Sequence, residues 1–224
     1  MPLSGGGWSR LPADMLLAQA LLAAVAVTLF APFLTLGGFT GDREGSRMLD
    51  LLVGPWASWR IVVAKLRRPL VLTLVSVASA AVACLAISAW LGRPALTTVI
   101  QLHGLAWILA VAFLTLGALA AIVIRSPVSA AGVCWLLGAL LLSAPLLAGP
   151  VIEASRESEV LIESVLLASP AVGLASAAGL DLMRSERFYR WSPIGERRFT
   201  YPGPARTALA YVVLSLLLFA ASVV

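Results

Sequence analysis

Few residues of this 224-residue chain could carry out chemistry. It has one histidine, His103, and two cysteines, Cys84 and Cys134, which both lie within apolar runs. A single histidine without neighbouring acids or thiols makes a metal site improbable, so we predict a solvated His103 in an external loop and two buried structural thiols. The sequence contains no phosphate-binding G-x-x-x-x-G-K-[ST] motif and no Ser–His or paired-acid arrangement. These absences disfavour an enzyme, including one that works inside a membrane.

Acidic residues cluster after the fourth apolar run. Glu153, Glu157, Glu159 and Glu163 lie within eleven residues, and Asp181 follows nearby. One interpretation is a rim that attracts cations or gates a substrate, with Glu159, Glu163 and Asp181 as a possible external gate. The other is an exposed polar helix face, in which Asp181 caps the following helix or pairs with Arg184. The residue types alone allow both.

A dense charged segment, residues 41–68, reads GDREGSRMLDLLVGPWASWRIVVAKLRR and holds nine charged residues. Its apolar residues favour a short amphipathic helix, which Gly54-Pro55 would end. Asp42 and Glu44 near the start of that helix would be favoured by its dipole. Such a helix either lies on a bilayer or offers its apolar face to a groove in a partner protein.

The composition indicates which medium surrounds the helices that carry these residues. The chain is 60% hydrophobic and 12% charged, against about 25% charged in soluble domains, and its mean hydropathy is +0.97. Lipid must therefore contact much of its surface. The net charge of +5 is typical of the basic excess on cytoplasmic loops and does not indicate nucleic-acid binding.

The apolar runs predict an all-α, polytopic helical membrane protein that forms a single domain over residues 1–224. A spanning helix needs about 20 apolar residues. Five runs meet or approach that length: Met15–Gly38, Pro69–Leu91, Leu105–Ile124, Ala130–Ile152 and Thr207–Val224. A sixth, residues 161–180, contains Glu163 and Pro170, and could span the membrane or form a broken re-entrant hairpin within the region 153–206.

Lysine and arginine near the span ends predict the orientation. The segment 41–68 carries six of them and should be cytoplasmic, which puts the start of the chain outside. Residues 184–206 carry six arginines, which favours the cytoplasm and a sixth span. A hairpin that stays outside would contradict that charge count.

The charged segment resembles the first cytoplasmic loop of type-2 permease subunits of ATP-binding-cassette exporters. That loop follows the pattern G-E-R-E-x-G-T-L-D-L-L-L-x-x-P-x-S-x-x-x-I-V-x-x-K. The residues that match it here are Gly41, Asp42, Arg43, Glu44, Gly45, Leu49, Asp50, Leu51, Leu52, Pro55, Ser58, Ile61, Val62 and Lys65. Two weaker similarities are IVIRSPVSAAGVCWLL, near a turn between two spans, and LLASPAVGLASAAGL, before the last span.

The resemblance implies a coupling helix that docks on a separate cytoplasmic ATPase. Its contact residues would be Asp42, Arg43, Glu44, Arg47, Met48, Leu49, Asp50, Leu51, Leu52, Pro55 and Trp59. ATP and Mg²⁺ would bind to that partner and no cofactor to this chain. A second permease copy or a sister permease would complete the transporter in the cytoplasmic membrane.

The resemblance also implies an external re-entrant hairpin before the last span, which we favour over a sixth span because Pro170 and its small neighbours suit a broken helix. The family usually has one more span before the charged loop than this sequence shows. A non-transport membrane scaffold, which recruits another partner through residues 41–68, is the alternative function.

Overall fold

The structure, a computed structural model, describes residues 6–44, 58–90, 96–147, 159–183 and 200–223, with the backbone alone for 6–14, 40–44 and 58. These ranges form helices and no strands. The helices are α1 (Gly6–Val25), α2 (Ala31–Glu44), α3 (Ser58–Trp90), α4 (Leu96–Val123), α5 (Pro127–Leu147), α6 (Glu159–Ala168), α7 (Pro170–Ala177) and α8 (Pro204–Val223), and a π-helical segment (Ala26–Phe30) joins α1 to α2.

Five helical stretches in the described ranges are long and apolar enough to cross a membrane, as predicted. The first combines α1, the π-helical segment and α2 over Met15–Phe39, and the others are α3, α4, α5 and α8. We call the side where α2 ends and α3 begins the loop side. The opposite side, where α3 ends and α4 begins, is the hairpin side.

The prediction for the first external loop was wrong. Helix α4 begins at Leu96, and His103 is buried within it rather than solvated. The polar residues that suggested a loop are compatible with a helix because His103 bonds within its own helix, with Nδ1 2.8 Å from the carbonyl oxygen of Val99. Helix α1 begins at Gly6, before the first apolar run at Met15.

Helix α4 forms the centre of the bundle and packs against α2, α3, α5, α7 and α8. Leu102, Leu109 and Leu114 on this helix are almost completely buried. Helix α3 is the least buried of these five spans, because only 6% of the residues in its most apolar stretch are buried. Most of α3 therefore faces lipid in the isolated chain.

Small residues allow the close helix contacts. A Cβ atom at Gly117 of α4 would lie 2.5 Å from the carbonyl oxygen of Pro32 and 2.8 Å from its Cα. At this crossing Thr35 Oγ1 donates to the carbonyl oxygens of Pro32 (2.8 Å) and Leu114 (3.2 Å), so one hydroxyl links α2 to α4. Gly138 of α5 packs in the same way against Thr28.

Pro32 lies two residues after the π-helical segment. Proline has no N–H, so it cannot donate to the carbonyl four residues earlier, that of Thr28. The N–H of Ala31, just before the proline, keeps the ordinary i→i−4 bond to the carbonyl oxygen of Val27. The carbonyl of Leu29 accepts a hydrogen bond from Trp135 Nε1 on α5 at 3.1 Å. A side chain of a neighbouring span thus bonds directly to the backbone of the π-helical segment.

Candidate functional site

The most irregular described part of the chain is the pair α6–α7, whose axes meet at 83°. The break falls at Ser169, which is extended (φ −86°, ψ 118°), and Pro170 opens the next helix. Proline favours this geometry because its ring disfavours helical conformation in the preceding residue and because it lacks the N–H that α6 would need to continue. The predicted effect of Pro170 is confirmed.

The two arms of this pair are bonded to two adjacent residues before α8, one arm to Thr200 and the other to Tyr201. Glu163 Oε1 on α6 accepts the backbone N–H of Thr200 at 3.2 Å. Beyond α7, the N–H of Leu182 donates to the hydroxyl of Tyr201 at 3.1 Å. Since 163 and 182 lie beside adjacent residues, the chain between them runs inward and returns. Residues 159–183 therefore have the shape of a re-entrant hairpin, and we call them the hairpin.

The lengths of the arms agree with this shape. At about 1.5 Å per residue, α6 is about 15 Å long and α7 about 12 Å. Joined at a right angle they reach about 19 Å, short of the roughly 30 Å hydrocarbon core of a bilayer. A sixth span built from this pair would be too short, which favours the re-entrant interpretation.

Helix α7 is inserted into the bundle between α1 and α4. Its residues from Pro170 to Ala175 are all buried. The contact with α8 is close, since a Cβ atom at Gly173 would lie 2.5 Å from Thr207 Cγ2. Small side chains permit this position, so the run of alanines and glycine serves packing in the hairpin.

Two tyrosines hold the hairpin against α8. Tyr201 donates to the carbonyl oxygen of Val172 at 3.4 Å and also accepts the N–H of Leu182. Tyr211 donates to the carbonyl oxygen of Ala168 at 2.6 Å, just before the break. Its ring also lies 6.3 Å from that of Phe113 on α4. The carbonyl of Ala168, next to the break, is thereby satisfied from a neighbouring helix.

Burial raises the pKa of Tyr201 well above its usual value of 10.0, and the nearby Asp181 raises it further, against a smaller lowering by the Leu182 N–H. The hydroxyl therefore keeps its proton at neutral pH and remains a donor. A raised folded-state pKa stabilises the fold fully below the unfolded value of about 10. That stabilisation is lost as the pH rises above it.

Ser169 at the break is fully buried, and no hydrogen-bond partner of its hydroxyl is seen in the described part of the chain. It lines a cavity of about 180 Å³ together with Leu21, Pro145 and Met183. A buried hydroxyl without a partner costs free energy, and the cavity has room for a water molecule beside it.

The three residues of the possible external gate all belong to the hairpin, but in the described structure they do not form one cluster. Glu159 is exposed in the first turn of α6, where the helix dipole favours an acid. Glu163 binds the N–H of Thr200, and Asp181 Oδ1 accepts the N–H of Met183 at 3.1 Å. Within the described ranges, no group of three His, Cys, Asp or Glu side chains is arranged to hold a metal ion. Glu153, Glu157 and Arg184 lie outside these ranges.

The start of the charged segment differs from the prediction. Asp42, Arg43 and Glu44 lie in the last turn of α2 and not at the start of a new helix. Extending an existing helix needs no new nucleation, so α2 continues past Gly41. The predicted contact residues Arg47, Met48, Leu49, Asp50, Leu51, Leu52 and Pro55 lie outside the described residues.

Helix α3 places the end of the charged segment on the loop side. Trp59 is half-exposed there, with the Arg60 guanidinium 5.4 Å from its ring centre. Lys65 Nζ donates to the carbonyl oxygen of Gly38 at 3.3 Å and lies 4.7 Å from the Phe39 ring centre. These contacts hold the first turns of α3 against the end of α2.

Tyr201, Tyr211, Ser169 and the pair Gln19–His103 were not predicted as functional residues from the sequence. The sequence signal for Tyr201 was the aromatic content of residues 181–206, which is also typical of an interfacial belt, and Tyr211 lies within the last apolar run, where nothing distinguished it. In comparisons with known proteins, no protein-family model matches the chain, and no curated protein shows significant similarity to it.

Proposed function

We propose that the chain is the membrane permease subunit of an ATP-binding-cassette exporter. The observation that carries the proposal is the sequence pattern of residues 41–68, which resembles the coupling loop of that family. The architecture is compatible with it, because the loop connects two spanning helices and the hairpin lies at the other end of the bundle. The chain would act with a separate ATPase and a second permease, in the cytoplasmic membrane.

In this proposal the loop transmits movement. The apolar residues Met48, Leu49, Leu51 and Leu52 would bury themselves in a groove of the ATPase, and the charged residues would keep the loop in water. ATP binding and hydrolysis on the partner would shift the bundle between two states of different access. The contacts of Lys65 with α2 would make α2 and α3 move together when the loop is pulled.

The test is co-purification of the tagged chain from its native host, with ATPase activity in the eluate as the readout. We expect Leu49→Glu/Leu52→Glu to lower that activity at least tenfold, because two charges cannot enter an apolar groove without a large desolvation cost. The matched control is Ser126→Glu/Val128→Glu, which adds two charges at exposed positions on the same side. Activity that survives the loop variant, or that is absent from the wild-type eluate, would contradict the proposal.

A membrane scaffold is the second candidate. It is favoured by the absence of Asp and Glu from the five spans of the described ranges, where a carrier coupled to protons or ions would need them. In that case, the loop variant should release a partner that has no ATPase activity. Mass spectrometry of the two eluates distinguishes these outcomes.

A further inference from the structure

An apolar cavity opens beside α3 and lies between α1, the π-helical segment, α3 and α4. It has a volume of about 480 Å³, within the range of about 300–1,000 Å³ that is typical of small-molecule sites. Its polar lining residues are Gln19, Thr73, Ser76 and His103. None of the residues that line it is Asp, Glu, Lys or Arg.

The polar end of the cavity is a hydrogen-bonded pair. His103 Nδ1 lies 2.8 Å from the carbonyl oxygen of Val99, which can only accept, so Nδ1 carries the proton. Its Nε2 then accepts from Gln19 Nε2 at 3.0 Å. This directs the amide N–H of Gln19 to the imidazole. The Gln19 side chain also has a hydrogen bond with Cys84 on α3, and its carbonyl oxygen, with two lone pairs, can accept from a further donor. Gln19 is only part-buried, so a ligand can reach it.

The rest of the cavity is apolar and elongated. The hydroxyls of Thr73 and Ser76 donate to carbonyls of their own helix, those of Pro69 and Leu72. Along the first span the lining runs from Gln19 to Leu34, which is about 22 Å at 1.5 Å per residue. That exceeds the roughly 15 Å depth of one leaflet's hydrocarbon, so a single extended acyl chain has room beside the helix.

The cavity is open toward lipid. Leu22 and Phe30 at its margin are 70% and 62% exposed. Gln19 lies near the start of the first span and His103 near the start of α4. The polar pair is therefore close to the hairpin-side boundary of the membrane, and the apolar part extends toward the bilayer centre. A lipid with its head at that boundary has the matching polarity.

We propose that this cavity is a binding site for a neutral, single-chain amphiphile whose head group carries a hydrogen-bond donor, such as a monoacylglycerol. The hydroxyl of the head group donates to the Gln19 carbonyl oxygen, and the chain lies between α3 and the π-helical segment. An anionic or cationic head would be placed in an apolar site without a counter-charge, at a high desolvation cost. This site does not depend on the transport proposal.

The test is photolabelling of the purified full chain in phosphatidylcholine nanodiscs, with a monoacylglycerol that carries a diazirine in its acyl chain. We expect saturable labelling of peptides from α1 and α3. Gln19→Leu should raise the half-saturating concentration about tenfold, the worth of one good hydrogen bond in an apolar site. Gln101→Leu, at an exposed position of α4 that does not line the cavity, is the matched control.

A second pair of variants tests the cavity itself. Ala80 is exposed and lines the cavity, whereas Ala78 on the same helix is exposed and does not line it. Ala80→Leu should reduce labelling at least tenfold by filling the space, and Ala78→Leu should leave it unchanged. Since both positions are exposed, neither variant should prevent folding. Equal labelling of the two variants would overturn the proposal.

Competition identifies the head group. Unlabelled monoacylglycerol should displace the probe, and the fatty acid and lysophosphatidylcholine of equal chain length should compete at least tenfold more weakly. Equal competition by the fatty acid anion would overturn the neutral-head proposal. Non-saturable labelling, or crosslinking of two chains through α3 in place of lipid labelling, would show that annular lipid or a second copy covers the cavity and would overturn it as well.

Discussion

At the scale of single residues, the hairpin depends on hydrogen bonds that reach it from α8 and the segment before it. Tyr201 has a special position, because one hydroxyl joins residues on both sides of the α7 turn, Val172 and Leu182. Gly179 makes that turn possible with φ +76°, a conformation that favours glycine. The turn therefore depends on Gly179, whose backbone adopts a positive φ, and on Tyr201, whose hydroxyl both donates and accepts a hydrogen bond.

Tyr201→Phe removes the hydroxyl and keeps the ring. We expect a loss of about 2 kcal/mol of stability, because a buried N–H and a carbonyl lose their partner. Thermal unfolding in detergent, followed by size-exclusion chromatography, measures the effect. Ser143→Ala is the control, since its hydroxyl bonds only within α5. If both variants unfold at the wild-type temperature, Tyr201 does not hold the hairpin.

At the scale of elements, α4 organises the bundle because its neighbours can approach it closely on several faces. Gly117 permits the α2 crossing, where an added Cβ would meet the backbone of Pro32. Gly104 on the same helix has no heavy atom within 4 Å of such a Cβ. Both glycines lie in α4 with helical backbone, but only Gly117 is in close contact with another helix.

Gly117→Ala should destabilise the chain by about 1–3 kcal/mol, the usual cost of overpacking. Gly104→Ala should be neutral or stabilising by up to about 1 kcal/mol, because alanine has the higher helix propensity. Unfolding of the two variants in parallel with increasing denaturing detergent compares them directly. Equal stabilities would mean that α2 and α4 are not in close contact at Gly117.

At the scale of the whole molecule, the decisive question is on which side of the membrane each connection lies. The bonds from Glu163 to Thr200 and from Leu182 to Tyr201 return the hairpin to the side from which it starts. Helix α8 then runs from the hairpin side toward the loop side, and Thr207 at its start contacts Gly173. Arg206, at the start of α8, thus lies on the side opposite Arg125, whereas the charge rule favours the same side for basic residues near the span ends.

Cysteine accessibility tests this topology. In a chain with Cys84→Ala and Cys134→Ala, we expect Glu159→Cys and Thr200→Cys to react with an impermeant maleimide from the same side of sealed vesicles. Ser126→Cys, in the exposed turn between α4 and α5, should react from the other side. Labelling of positions 159 and 200 from opposite sides would instead indicate a sixth span.

The sequence alone was enough to predict the class of protein and the number of clear spans. Uninterrupted apolar runs can only be helical in lipid, because every backbone group must find a partner within the segment. Pro170 was also enough to predict the break in the hairpin, because a proline acts directly on the conformation of the residue before it. The boundaries were less predictable: His103 was expected in a loop, but α4 begins at Leu96, before it.

Only the tertiary structure decided which polar groups meet. Gln19 and His103 are 84 positions apart, and nothing in the local pattern of either residue predicts the other. The same holds for the contact of Tyr211 with Ala168 and for the close approach of Gly117 to Pro32. Hydropathy specifies which segments enter the membrane, whereas side-chain shape and hydrogen bonding between helices specify how those segments pack and where they leave a cavity.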